Sequence, residues 1–350
     1  MRKRSRFLIA FICIMLVAGT MLTGCGGGST TGPVEEDGRQ VWNMRLSTQN
    51  PVDFSDSLIM AWAVQEIYDR SDGALNITHF PAGALGDYIP IFEEVMQGTV
   101  DIIVGTAPTT VDPMMAMVVV PYLITSYEVG GTVWTEGSNF FEMFDGVAAN
   151  NNLKFLGVLP GGLMGIGMRV PLNPDTVWDF DQPTEEHLIR LPPLWILQSL
   201  ADGMQVRTTA IPFADLYPAL MTGVVDGWIG GGPELNYVGF RDAINYFYDF
   251  RYMDDSFSMF MNRDLYYSLP VEYQRIISDV FTEASMNAIE AQTERSEYFI
   301  QQLIDYGIEV HRPTQVQRDN MREAAIRRIW PGLRDNFGDE VMDRLMQDVM

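Results

Sequence analysis

Cysteine is almost missing from this chain: its 350 residues include two, Cys13 and Cys25. Cys13 lies in an N-terminal segment with the character of a removed leader, so a single thiol remains. Neither a disulfide framework nor a thiol-metal cluster can be built from it. Histidine occurs three times, at His79, His187 and His311, with no ligand spacing among them, which argues against a zinc centre. Lysine occurs twice, at Lys3 and Lys154, and the formal net charge is -23. Nucleic acid and anionic membrane surfaces both require basic patches, so neither is an expected partner. There is no Gly-x-Ser-x-Gly elbow, no activated cysteine and no Walker loop. Gly162, Gly165 and Gly167 have the wrong spacing for a dinucleotide loop, and no cofactor is expected. Past Cys25 no run of 18 apolar residues remains to span a bilayer.

What is present begins with an address. Arg2, Lys3, Arg4 and Arg6 form a basic n-region, and Phe7 to Val17 form an apolar h-region too short for a comfortable membrane span. Leu22-Thr23-Gly24-Cys25 then resembles a bacterial lipoprotein signal, with residues 1–24 removed and Cys25 acylated. Residues 25–40, rich in glycine, serine, threonine and acids, read as a flexible tether to the lipid. Removing the four basic residues of the leader takes the charge from -23 to -27. Such a chain repels anions at long range, so any anion site has to work through local arginine and backbone donors behind low-dielectric walls.

The remaining length suits about two domains. Val41 to Ser47 alternate, with Trp42, Met44 and Leu46 on one face, as a strand does. A helix follows over 55–70, a strand over 75–79, a helix over 89–97 closed by Gly98, and an apolar strand over 100–104. This rhythm predicts an α/β lobe with a mostly parallel sheet. Ligands of such lobes sit off the carboxyl ends of the strands, which singles out the loops holding Asn50 and Thr106. A helical segment is expected near 133–144 and a strand over 153–159. Pro160 to Gly167 then read as the first crossing into a second lobe. The expected division is 41–160 with 250–290 for lobe I, and 161–249 with 291–350 for lobe II. A helix from Pro270 to Tyr306 spans both, at about 1.5 Å per residue. A strand over 308–311 and a helix over 314–330 complete the expected elements.

The chemistry concentrates between Glu185 and Pro233. Leu188, Ile189 and Leu191 surround one arginine, Arg190, as a short buried strand carrying a guanidinium inward. A buried guanidinium demands an anion, either a protein carboxylate or a ligand. Trp195, Trp228 and Tyr237 are candidate aromatic walls, and Gly230 and Gly231 would let backbone amides approach a ligand. Ile189-Arg190, Tyr217-Pro218-Ala219-Leu220 and Thr222-Gly223-Val224-Val225-Asp226-Gly227 together resemble the extracytoplasmic solute-binding subunit of tripartite ATP-independent periplasmic (TRAP) transporters, dicarboxylate-binding type. Phe80-Pro81-Ala82-Gly83 and Glu94-Val95-Met96-Gln97-Gly98 match the same pattern, and the similarity runs from about Val41 to about Gly307.

The resemblance implies a two-lobe α/β binding-protein fold with crossing strands and a long bracing helix. It implies Arg190 as the clamp for a substrate carboxylate, and membrane permease subunits as partners. The family's second arginine is replaced by Met164 and its later asparagine by Gly230, which shifts the expected ligand toward a small or more apolar acid. The rival functions are a receptor feeding a sensor kinase and a secreted hydrolase, the latter without a catalytic constellation to support it.

Overall fold

The computed structural model describes residues 33–36, 38–182 and 184–349. The expected leader and the acylation site Cys25 lie outside these residues. Five strands open the fold: β1 (Val34–Glu36), β2 (Arg39–Thr48), β3 (Leu75–Phe80), β4 (Ile102–Gly105) and β5 (Leu153–Leu163). Five more follow, β6 (Ile166–Met168), β7 (Thr184–Leu191), β8 (Val206–Ala210), β9 (Gly227–Ile229) and β10 (Tyr246–Tyr248), then β11 (Asp254–Asn262) and β12 (Glu309–His311). They form two sheets, one ordered β1-β2-β4-β11-β5 with β3 on β2, the other β12-β10-β6-β9-β7-β8.

The first sheet corrects two expectations. Residues 34–36 and 39–40 are not tether: β1 pairs antiparallel with the start of β2, Val34 opposite Val41. Nor is the sheet mostly parallel. β2 runs parallel to β3 and β4, but β11 is antiparallel to both β4 and β5. The reason is topological, since β5 leaves this half of the molecule and β11 returns to it.

Helices α1 (Ser55–Arg70) and α2 (Tyr88–Gln97) cross between the first strands, and α2 is punctuated as the sequence predicts. Asp87 accepts from the Ile89 amide at its start, and Gly98 closes it at φ 78°. The single helix expected near 133–144 is two, α3 (Tyr127–Val133) and α4 (Asn139–Asn150), each N-capped by a serine, Ser126 and Ser138. The second half carries α5 (Trp195–Gly203), α6 (Phe213–Thr222) and α7 (Pro233–Phe240). After the short α8 (Arg263–Ser268), α9 (Val271–Tyr306) runs for 36 residues. At about 1.5 Å per residue it is roughly 54 Å long. It touches α1 and β5 on one side and α7 and β12 on the other. Arg70 pairs with Glu283 at 2.7 Å, and Ser285 Oγ donates to the Val158 carbonyl at 2.6 Å.

The chain does not finish with the helix over 314–330. Helix α10 (Gln315–Arg328) is followed by α11 (Trp330–Phe337) and α12 (Asp339–Gln347). These two do not stay with the second sheet. Trp330 Nε1 donates to the Pro121 carbonyl at 2.8 Å, and α12 packs on α4. Asp348 accepts from the amides of Asn139 and Phe140 at the α4 N-terminus, at 3.0 and 2.8 Å. The expected grouping of 291–350 with the second lobe therefore fails for this last stretch.

The crossing point constrains its residues tightly. A Cβ on Gly165 would lie 2.5 Å from both the Phe247 ring and the Tyr248 carbonyl of β10. Gly165 also receives the Tyr252 hydroxyl on its carbonyl at 3.1 Å. Gly165→Ala is expected to cost about 1–3 kcal/mol through overpacking, read as a lower denaturant midpoint at unchanged slope.

Candidate functional site

Between the sheets lies a small cavity of about 50 Å³, lined by residues of both halves. β7 brings Arg190 to it from the second sheet, paired in register with Thr209 of β8 and Trp228 of β9. The arginine is 1% exposed. Its Nε donates to the Ile211 carbonyl at 2.8 Å, which fixes the plane of the guanidinium. Among the described residues its two terminal nitrogens have no hydrogen-bond or ion-pair partner. Burial lowers its pKa to about 10, opposed by the negative fields of Asp255 and Asp87.

Of the eight residues expected at a ligand site, Arg190, Trp228, Gly230, Gly231, Thr106, Asn50 and Met164 line this one cavity. Trp195 does not. Helix α5 turns its indole against Phe337, with ring centroids 5.3 Å apart, and Nε1 faces the Pro113 carbonyl at 3.4 Å. It packs the C-terminal helices onto the second half instead of walling the ligand. Tyr237 is likewise elsewhere, under the Arg241 guanidinium.

Trp228 is held from behind: its Nε1 donates to Asn236 Oδ1 at 3.1 Å, and Asn236 Nδ2 donates to the carbonyls of Gly231 and Gly232. Gly230 and Gly231 adopt φ 136° and 68°, and a Cβ on Gly231 would meet the Trp228 ring at 2.6 Å. A bulkier residue cannot occupy the turn, so the indole and the turn are one rigid wall. Asn50 is fixed by donating to Asp56 Oδ2 at 2.9 Å.

Sequence reasoning missed two polar groups. Tyr88, the first residue of α2, lines the cavity with a buried hydroxyl that has no partner. Burial raises its pKa to about 12, so it is a neutral donor at physiological pH. Asp255, at the start of β11, also lines the cavity, and its carboxyl takes part in no hydrogen bond or ion pair among the described residues. Burial and the adjacent Asp254 push its pKa up to about 8, against the pull of Arg190. The readable signal for Asp255 was an acid pair heading a run that holds Phe257, Met259, Phe260 and Met261.

The model of the DctP family, bacterial extracellular solute-binding protein family 7, matches residues 60–331. The chain belongs to this family. The resemblance to the dicarboxylate-binding TRAP type read from the sequence agrees with it. This DctP-family chain is 23% identical over 302 residues to the ectoine-binding periplasmic protein TeaA of Halomonas elongata, covering 81% of this chain and 83% of that one. Among solved structures it is similar to a TRAP periplasmic solute binding protein from Desulfovibrio salexigens with bound orotic acid. The TM-score there is 0.79 at 18% identity, over 88% of this chain and 98% of the other. A similar protein from Haemophilus influenzae, with bound L-gulonate, gives a TM-score of 0.78 at 16% identity, over 87% of this chain and 98% of the other.

Proposed function

We propose that this DctP-family protein is the lipid-anchored solute receptor of a TRAP transporter, capturing an organic acid between its two halves and delivering it to membrane permease subunits. The observation that carries the reading is the Arg190 guanidinium, buried at the cavity with both terminal nitrogens unpartnered among the described residues. Burying such a group is costly unless an anion arrives, and a carboxylate matches its two parallel donors. Orotic acid, L-gulonate and ectoine, the ligands named for the similar proteins, each carry a carboxylate. The reading is of binding without turnover: the cavity brings together a cation, a phenol and a carboxyl, with no nucleophile beside a base.

Closure on the ligand removes the guanidinium-carboxylate pair from water and strengthens it, so the ligand favours the closed state. Ser55 N at the start of α1 donates to Glu234 Oε1 at the start of α7, at 2.8 Å, joining the two halves beside the cavity. A thermal-shift screen against small organic acids tests the capture step. A saturating acid at a hundred times its Kd is expected to stabilise the protein by about 2.7 kcal/mol, and a flat response to every acid would refute the reading. The anchor is tested separately. Cys25→Ala is expected to move the protein from the membrane fraction to the soluble extracytoplasmic fraction, and continued membrane retention would remove the lipid from the proposal.

A further inference from the structure

We propose that the solute is a compact zwitterion, its carboxylate held by Arg190 and Tyr88 and its cationic centre facing Asp255. The inference rests on the carboxylate-capture reading and narrows it. Among the polar groups lining the cavity, the Arg190 terminal nitrogens, the Tyr88 hydroxyl and the Asp255 carboxyl have no hydrogen-bond partner among the described residues. The first two are donors and suit a carboxylate. The third is an acceptor when ionised, and a carboxylate ligand alone leaves it without a complement.

The charge balance points the same way. Asp255 and Asp87 both act on the Arg190 guanidinium, and among the described residues lining the cavity Arg190 is the one cationic side chain. With Asp255 ionised, one cation with two acids in its field leaves no surplus positive charge for a dianion. A dicarboxylate would bring a second negative group into a low-dielectric cavity that has no second arginine lining it. A zwitterion adds no net charge, and the protein's -23 does not repel it on approach. The walls fit as well: Trp228 and Phe257 face the same space as Asp255, and aromatic faces attract a desolvated cation.

The rival chemistry is a neutral, protonated Asp255 donating to the hydroxyl or carbonyl of a monoanion. Burial and Asp254 favour that form in the empty site. An asparagine separates the two, because its amide replaces a carboxylic acid as donor but presents N–H groups to a cation. Proline and cyclopentanecarboxylate make a matched pair of similar shape with and without the cationic nitrogen. Glycine betaine and ectoine extend the zwitterion set.

Isothermal titration of the wild-type protein with these four, and of Asp255→Asn with the zwitterion that binds best and with cyclopentanecarboxylate, decides the matter. The wild type is expected to bind at least one zwitterion, and to prefer it over cyclopentanecarboxylate by about tenfold or more, as for a charge-assisted contact. Asp255→Asn is expected to weaken the zwitterion by at least about tenfold and to narrow or reverse the preference. A wild type that prefers the anion would overturn the zwitterion and leave carboxylate capture standing, as would an Asp255→Asn protein with undiminished zwitterion affinity. Failure of all four to bind the wild type would count against both readings. The wild-type comparison needs no variant, so a folding defect in Asp255→Asn cannot rescue the proposal.

Discussion

Arg190→Met is expected to weaken carboxylate binding by roughly 30-fold to several-thousand-fold, the 2–5 kcal/mol cost of removing one partner of a buried hydrogen-bonded charge pair. The same substitution is expected to leave the thermal midpoint of the ligand-free protein unchanged or higher. Among the described residues the guanidinium makes one hydrogen bond, to the Ile211 carbonyl, and its other donors have no protein acceptor at the cavity. An arginine in that state destabilises the fold that holds it, and an apolar side chain of similar length fills the space without that cost. Titration calorimetry and a melting curve on the same sample give both numbers. Lost affinity with an unlowered midpoint identifies a group kept for its ligand. Undiminished affinity would refute the clamp, and a midpoint lower by more than about 10 °C would make the arginine a structural residue.

The sequence made much of this placement legible, because the signals involved are local. One arginine inside Leu188-Ile189-x-Leu191 has to point into the protein, and β7 puts it there. Helix α1 has the expected bounds since Ser71-Asp72-Gly73 cannot continue it, and Asp87 and Gly98 frame α2 by capping. What escaped was decided by distant partners. The three residues of β6 lie in a glycine-rich run and become a strand only by pairing with β9 and β10. β1 is an exposed Val-Glu-Glu triplet defined wholly by its register with β2. Helix α7 was hidden behind Gly230-Gly231-Gly232, although Pro233 at its first turn is a start signal. Trp195 was misplaced because aromatic character in sequence says nothing about the side of α5 it occupies. Asp255 belongs to a strand that returns from the far half, so no local pattern ties it to Arg190.

Stability of the ligand-free protein is expected to fall as pH rises from about 5 to 8.5. Burial pushes the carboxyls of Asp56 and Asp254 up to about 7 and that of Asp255 to about 8. Around pH 5 to 6 the unfolded chain has released these protons and the folded chain still holds them, so raising the pH favours unfolding until the folded groups titrate as well. The contribution is complete below the unfolded value near 3.8 and is lost by about pH 8. Glu234 and Asp249, raised by burial, act in the same direction, while His79, lowered by burial, opposes them. Several kcal/mol are at stake in sum, enough to lower the melting temperature by about 10 °C. Repulsion among the surface acids predicts the same sign, but 1 M salt shortens the screening length to about 3 Å and suppresses it. A fall that persists in 1 M sodium chloride therefore belongs to the buried carboxyls, and one that disappears there belongs to the surface. Asp255 further separates stability from binding. Facing Arg190 and Asp254, with Tyr88 and Tyr252 beside the same guanidinium, it must lose its proton to hold a cationic solute. Zwitterion affinity should thus rise over the pH interval in which the empty protein weakens, whereas a solute that accepts a proton from Asp255 would bind less tightly over the same interval.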